Sequence, residues 1–255
     1  MTDPNTCQKI CNTLPVEENS GVLEIGPGQG ALTRYLVQQF LRVWAVEIDP
    51  NLAEQLPGRL ENPENLEIIN RDILTLSAEE LSTLLSKSGG KVIGNLPYHI
   101  TSPIIFKLLE NHRVMHQAVF MVQKEVAERI CASPGNKQYG ILSVFCQYFA
   151  SCQYVFTVPA GLFFPKPKVD SAVIRMEFYR ELPHEADNPA LFKQIVKTSF
   201  NQRRKMLRNT LSTIFEKAIL ELINFDFTRR PETLSVEEFV SLTNQLNRHK
   251  AAGEQ

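Results

Sequence analysis

Between Gly21 and about residue 180, short β-rich apolar runs alternate with helical patterns, and that alternation leaves few folds open. Gly21-Val22-Leu23-Glu24-Ile25-Gly26 reads as a buried strand running into a glycine loop. Ala31 to Phe40 reads as a helix, with Leu32, Tyr35, Leu36 and Phe40 at helical spacing. Val43–Glu47, Leu66–Asn70, Lys91–Gly94 and Ala118–Val122 read as four further strands. Strands and helices in this order predict a parallel α/β sheet with helices on both faces. After residue 150 the pattern changes. Gln153–Val158 and Ser171–Phe178 are strand-like and joined by the proline-rich Phe163-Phe164-Pro165-Lys166-Pro167-Lys168, which predicts an antiparallel edge. From about residue 183 the chain reads as helices only, after a linker bracketed by Pro183 and Pro189.

A chain of 255 residues has room for one large domain and one small one. No apolar run approaches the ~20 residues that span a bilayer. Met1-Thr2-Asp3-Pro4-Asn5 carries neither a basic region nor an apolar core, so no membrane association and a cytoplasmic location are expected. Cys7, Cys11, Cys131, Cys146 and Cys152 are odd in number and scattered, which predicts free thiols in or near a core. His112 and His116 stand four apart, but Arg113 occupies the place a zinc protease gives to Glu. No metal site is expected.

Four short motifs carry the chemistry. Glu24-Ile25-Gly26-Pro27-Gly28-Gln29-Gly30 places glycines after a strand, where bare backbone lets a ligand approach closely. Its spacing is G-x-G-x-G rather than the dinucleotide G-x-G-x-x-G, and by itself it also suits a plain tight turn. Glu47 ends the second strand about 20 residues later, where a carboxylate can accept two ribose hydroxyls. Asp49-Pro50 beside it suits a helix cap. Asp72, after the third strand, is either an acceptor for an adenine amino group or a loop acid. Asn95-Leu96-Pro97-Tyr98 follows the fourth strand directly. The Asn95 oxygen and the Leu96 carbonyl can accept the two N–H bonds of an exocyclic adenine amine. That draws its nitrogen toward tetrahedral geometry and frees its lone pair. Pro97 stiffens the loop, and Tyr98 offers a face to a base taken out of its stack.

The order Glu-Ile-Gly-Pro-Gly, Val-Glu-Ile-Asp, Arg-Asp and Asn-Leu-Pro-Tyr resembles the ribosomal RNA adenine dimethyltransferases of the KsgA/RsmA family. The resemblance runs on through Val122–Ile130, Tyr139-Gly140 to Leu142-Ser143, Phe163–Val173, Phe200–Lys205 and Arg230–Ser235, nearly the whole chain. It implies a Rossmann-like, seven-stranded S-adenosyl-L-methionine (SAM) methyltransferase domain over residues 1–182. A small all-helical, RNA-binding domain over residues 183–255 would follow. It implies four methyl transfers to N6 of two adjacent adenosines in the 3′-terminal hairpin of 16S rRNA, with the small ribosomal subunit as partner and a role in its biogenesis. Carried over, Gly26, Gly28, Glu47, Ile48, Asp72, Ile73 and Asn95 hold SAM. Asn95, Leu96, Pro97 and Tyr98 meet the target base. Phe163 is its second aromatic, or Phe164 if the alignment slips by one. A monomer is expected.

The family also carries a Gln-x-Asn-Phe-Leu segment that covers SAM, and Met1-Thr2-Asp3-Pro4-Asn5 aligns just after it. The sequence therefore leads one to expect a more open pocket and weaker SAM binding. Between Asp187 and Glu216 there is no acid, while Lys193, Lys197, Arg203, Arg204, Lys205 and Arg208 fall in that stretch. In a chain of net charge −1 this points to phosphate contact more than to a solvated face. Lys124, Arg129, Lys166 and Lys168 are expected to extend the basic path. The competing readings are a large-subunit rRNA adenine methyltransferase and a non-catalytic assembly factor on the same fold. A nucleotide-dependent dehydrogenase leaves Asn95-Leu96-Pro97-Tyr98 without a purpose.

Overall fold

A computed structural model describes residues 3–18 and 20–253. Met1 and Thr2, next to which the family's covering segment would end, lie outside the described residues. Seven strands form one sheet: β1 (Gly21–Ile25), β2 (Arg42–Glu47), β3 (Leu66–Asn70), β4 (Lys91–Asn95), β5 (Gln117–Gln123), β6 (Ala150–Val158) and β7 (Ser171–Phe178). Their order is β3-β2-β1-β4-β5-β7-β6. β1 to β5 pair in parallel, and β7 pairs antiparallel with both β5 and β6. The expected parallel sheet with a late antiparallel edge is what forms. β1 is buried along its whole length and β2 everywhere but Arg42. Strands covered on both faces read as near-continuous apolar runs, which is why these segments are legible in the sequence.

The interleaved helices are α1 (Pro4–Cys11), α2 (Thr33–Gln39), α3 (Pro50–Arg59), α4 (Ala78–Lys87) and α5 (Thr101–Leu109). Asp49 caps α3 by accepting the Asn51 N–H at 2.8 Å, and Pro50 fills the first turn. Ile10 and Cys11 of α1 share a core with Leu14, Val22, Leu36, Phe40 and Val43. Among the described residues, no helix is long and apolar enough to cross a membrane.

The remaining helices are α6 (Lys124–Ile130), α7 (Ile141–Phe149), α8 (Pro189–Asn201), α9 (Leu207–Leu211), α10 (Lys217–Leu222) and α11 (Val236–Gly253). The chain divides into two compact units, Met1–Ala127 with Phe149–Arg180, and Glu128–Tyr148 with Glu181–Gln255. This differs from the single cut at 182/183 suggested by the sequence, because residues 128–148 join the helical unit. The reason is aromatic packing. Phe192 of α8 lies against Phe145 and Tyr148 of α7, with ring centroids 5.9 and 4.5 Å apart. Phe200 contacts both Tyr139, at 6.2 Å, and Phe239 of α11, at 5.9 Å.

β1 lies between β2 and β4, and here the strand order reverses, so the crevice beyond the strand ends is a natural ligand site. Ile25 is level with Val46 of β2 and with Gly94 of β4. A Cβ built on Gly94 would stand 2.6 Å from the Ile25 carbonyl oxygen. Only glycine lets β4 lie this close to β1. Beneath the same edge, the Glu24 side chain is buried, and its Oε2 has no hydrogen-bond partner. Burial pushes its carboxyl up to about 8, and the Glu47 carboxylate adds to the shift. The Thr33 side chain opposes it, by more than the Glu47 carboxylate adds.

Two outcomes are expected. Gly94→Ala should lower stability by about 1–3 kcal/mol through overpacking. A denaturation midpoint equal to the parent's would mean that β1 and β4 can part without cost. Glu24 binds its proton more tightly folded than unfolded, so its contribution to stability is complete below the unfolded carboxyl range. That contribution is lost as pH rises toward about 8. The slope is ~1.4 kcal/mol per pH unit across that window. Glu24→Gln should flatten the dependence in denaturant titrations between pH 5 and 8, and a variant that keeps the parent's slope would exonerate Glu24.

Candidate active site

Gly26 donates its N–H to the Val46 carbonyl at 2.9 Å, which ties the start of the glycine loop to β2. Gly26 and Gly28 have φ of +67° and +56°, the left-handed region that favours glycine. A Cβ on Gly26 would find only the Asn95 carbonyl, at 4.0 Å, and one on Gly28 would find nothing within 4 Å. Bare backbone thus borders open space, with Asn95 on its far side. A ligand that needs backbone donors at close range fits such a cradle.

Glu47 is 5% exposed at the end of β2. Its Oε2 accepts the Gly28 N–H at 2.9 Å and its Oε1 the Asp49 N–H at 3.0 Å. Each oxygen has a second lone pair left for a hydroxyl. Ile48, next in the chain, is 63% exposed, an apolar surface held at the strand end. Asp72 accepts the Leu74 N–H at 2.8 Å and opens a single 3-10 turn at Ile73–Thr75, with Ile73 buried. The loop-acid reading therefore accounts for Asp72 Oδ1.

Asn95 is the last residue of β4 and is half-buried. The loop beyond it is fastened at three points. Leu96 donates its N–H to the Met121 carbonyl at 3.0 Å. The Pro97 carbonyl accepts the Thr101 hydroxyl at 3.0 Å and the Ile100 N–H at 3.2 Å. The Tyr98 hydroxyl shares a hydrogen bond of 2.7 Å with Ser171 Oγ at the start of β7. Asn95, Leu96, Pro97 and Tyr98 line an open cavity of about 280 Å³ with Phe163, Pro165 and Pro167. The structure thus brings Phe163 to the Asn-Leu-Pro-Tyr loop. Phe164 is 86% exposed and not part of that lining.

The basic residues of the helical unit are placed unequally. Lys197, Arg204 and Lys205 are exposed. Arg203 donates to the Asn136 carbonyl at 3.0 Å. Arg208 lines a cavity of about 580 Å³ with Lys217, Glu221 and Asp226 among its walls. The Thr228 hydroxyl and N–H, with smaller effects from Arg229 and then Arg208, hold the Asp226 carboxyl below its ordinary range. A run without acids in sequence is thus met by acids in space at one of its members.

Two residues near the site were not singled out from sequence. Glu24 had a visible signal, an acid inside an otherwise apolar strand. Ser171 had none beyond its place in the Phe163–Val173 run, because a partner for Tyr98 is fixed by sheet topology.

Comparison with known proteins gives the family of the chain. The family model described as ribosomal RNA adenine dimethylase matches residues 1–248. A ribosomal RNA small subunit methyltransferase A of Desulforapulum autotrophicum is 42% identical, over 96% of this chain and 89% of its own. One of Acinetobacter baylyi is 41% identical, again over 96% and 89%. A crystal structure of a dimethyladenosine transferase from Plasmodium falciparum shares the fold at TM-score 0.80 and 24% identity, covering 98% of both chains. That of the 23S rRNA methyltransferase ErmE aligns at TM-score 0.74 and 26% identity, over 97% of this chain and 99% of the other. With a family model matched across almost its whole length and relatives above 40% identity, the chain belongs to the ribosomal RNA adenine dimethylase family.

Proposed function

We propose that this protein transfers methyl groups from SAM to N6 of two adjacent adenosines in the 3′-terminal hairpin of small-subunit 16S rRNA. It would act as a monomer, in the cytoplasm, during assembly of the small subunit. The observation that carries the reading is the cavity in which Asn95, Leu96, Pro97, Tyr98 and Phe163 meet, beside the glycine loop. Relatives at about 40% identity bear the small-subunit name, which favours this substrate over the large-subunit one suggested by the likeness to ErmE.

SAM supplies an electrophilic methyl group on a sulfonium. Gly26 and Gly28 would give it bare backbone, Glu47 would accept its ribose hydroxyls, and Asp72 its adenine amine, with Ile48 and Ile73 against the base. Asn95 borders both this cradle and the cavity. Its side-chain oxygen and the Leu96 carbonyl would accept the two N6–H bonds of the target adenine and orient the nitrogen lone pair. Tyr98 and Phe163 would flank the extruded base. Methyl transfer would release the neutral thioether and leave a cationic ammonium at N6, which is acidic enough to lose its proton to water, so no side-chain base is required. Lys197, Arg203, Arg204, Lys205 and Arg208 would meet phosphates.

Labelled SAM offered with under-methylated small subunits should give dimethyladenosine, and offered with large subunits should not. Methyl transfer to neither, with SAM bound, would identify a non-catalytic factor instead. Asn95→Ala should lower turnover by ~10²–10³ while RNA affinity stays near the parent value, because the interaction strengthens in the transition state. Near-normal turnover would remove Asn95 from the mechanism.

The cations separate by their surroundings. Arg204→Ala with Lys205→Ala should reduce the log–log salt slope of subunit binding by about 2, about 1 for each phosphate left without its cation. Arg208→Ala should reduce it by less, because Asp226 and Glu221 already stand near that cation. An unchanged slope in the double variant would leave these charges as a solvated face.

A further inference from the structure

The segment from Phe163 to Lys168 alternates. Phe163, Pro165 and Pro167 line the cavity beside Asn95, whereas Phe164, Lys166 and Lys168 do not, and all three are exposed. Phe164, at 86%, is the most exposed large apolar side chain among the described residues. Next come Leu222 at 67%, Ile48 at 63% and Leu41 at 62%. The segment is held at its base. The Asp170 carboxylate accepts the Ala160 N–H at 2.9 Å, and the Asp170 carbonyl accepts the Lys124 N–H at 3.0 Å. Phe163 packs against the apolar core. A fastened loop therefore presents one bare aromatic ring and two cations to solvent, on the rim of the cavity.

An exposed ring with interleaved lysines is the composition by which proteins bind single-stranded nucleic acid. The ring stacks on a base of any identity, and the cations follow the backbone. We propose that Phe164 stacks on the unpaired nucleotide next to the adenosine held at Asn95, with Lys166 and Lys168 on the flanking phosphates. The inference rests on the reading of this site as an rRNA adenine methyltransferase. Two aromatic neighbours in the chain would then divide the work. Phe163 faces the target base within the cavity, and Phe164 holds the adjoining base outside it. That second hold keeps two adjacent adenosines in register while each in turn enters the cavity.

The test uses the full chain and an RNA hairpin with 2-aminopurine beside the target adenosine. Binding of the parent protein should quench the probe. Phe164→Ala should abolish the quench and raise KM for RNA by about tenfold, within the span measured for base–aromatic stacking. Maximal turnover, SAM affinity and melting temperature should stay at parent values, and Phe164→Trp should restore both quench and KM. Lys166→Ala with Lys168→Ala should keep the quench and lower the salt slope by about 2. An absence of quench with the parent protein, or parent quench and KM in Phe164→Ala, overturns the proposal. Quench that depends on Phe164 in a protein that transfers no methyl group would leave the subsite standing and refute the enzymatic reading.

Discussion

Two backbone N–H groups end on the two oxygens of one carboxylate, and the edge of the sheet beside the glycine loop depends on them. Glu47 receives Gly28 from the glycine loop and Asp49 from the approach to α3. Both segments are thereby held where the acid is. The backbone of Glu47 acts in the other direction. Its carbonyl accepts the Arg71 N–H at 3.0 Å and the Asn70 side chain at 2.8 Å, which ties the exit of β3, and Asp72 after it, to the exit of β2. One residue thereby joins the ends of three strands.

The Asn95 side of the candidate site depends on strand direction. β7 runs antiparallel to β5, and its first residue, Ser171, is paired with Gln123, the last of β5. The loop that precedes β7 must therefore end at the carboxyl edge of the parallel strands, where β4 delivers Asn95. That is how Phe163, far from Asn95 in sequence, comes to share its cavity, and how Ser171 comes to hold the Tyr98 hydroxyl. An all-parallel sheet would have placed the start of its last strand at the opposite edge.

The strands are legible in the sequence because burial on both faces leaves few polar interruptions, Glu24 in β1 being the exception. The motif positions at strand ends are legible for the same reason, since Gly26, Glu47 and Asn95 each follow an apolar run. Asp49 is legible as a cap from its proline neighbour alone. The assignment of residues 128–148 to the helical unit is not legible. It rests on rings, such as Phe192 on Tyr148, whose sequence separation carries no periodic signal. The choice between Phe163 and Phe164 is also beyond the sequence. Adjacent residues in an extended loop point opposite ways, and only the register of the loop decides which faces inward.

Charge shows the same limit more quantitatively. The sequence counts cations, but RNA affinity responds to the counterions that phosphates give up when those cations neutralise them. A cation beside an acid is already partly neutralised in the free protein and has less charge to offer a phosphate. Arg208, with Asp226 and Glu221 in its cavity, would therefore displace fewer counterions from RNA than Arg204 or Lys205. Arg203 differs again, because its bond to the Asn136 carbonyl fixes the direction of its guanidinium without neutralising it. It keeps its full charge and has less side-chain freedom left to lose on binding. Cations that the sequence presents as one run thus stand in different surroundings once folded. The salt dependence of RNA binding should be divided among them by local environment rather than by number.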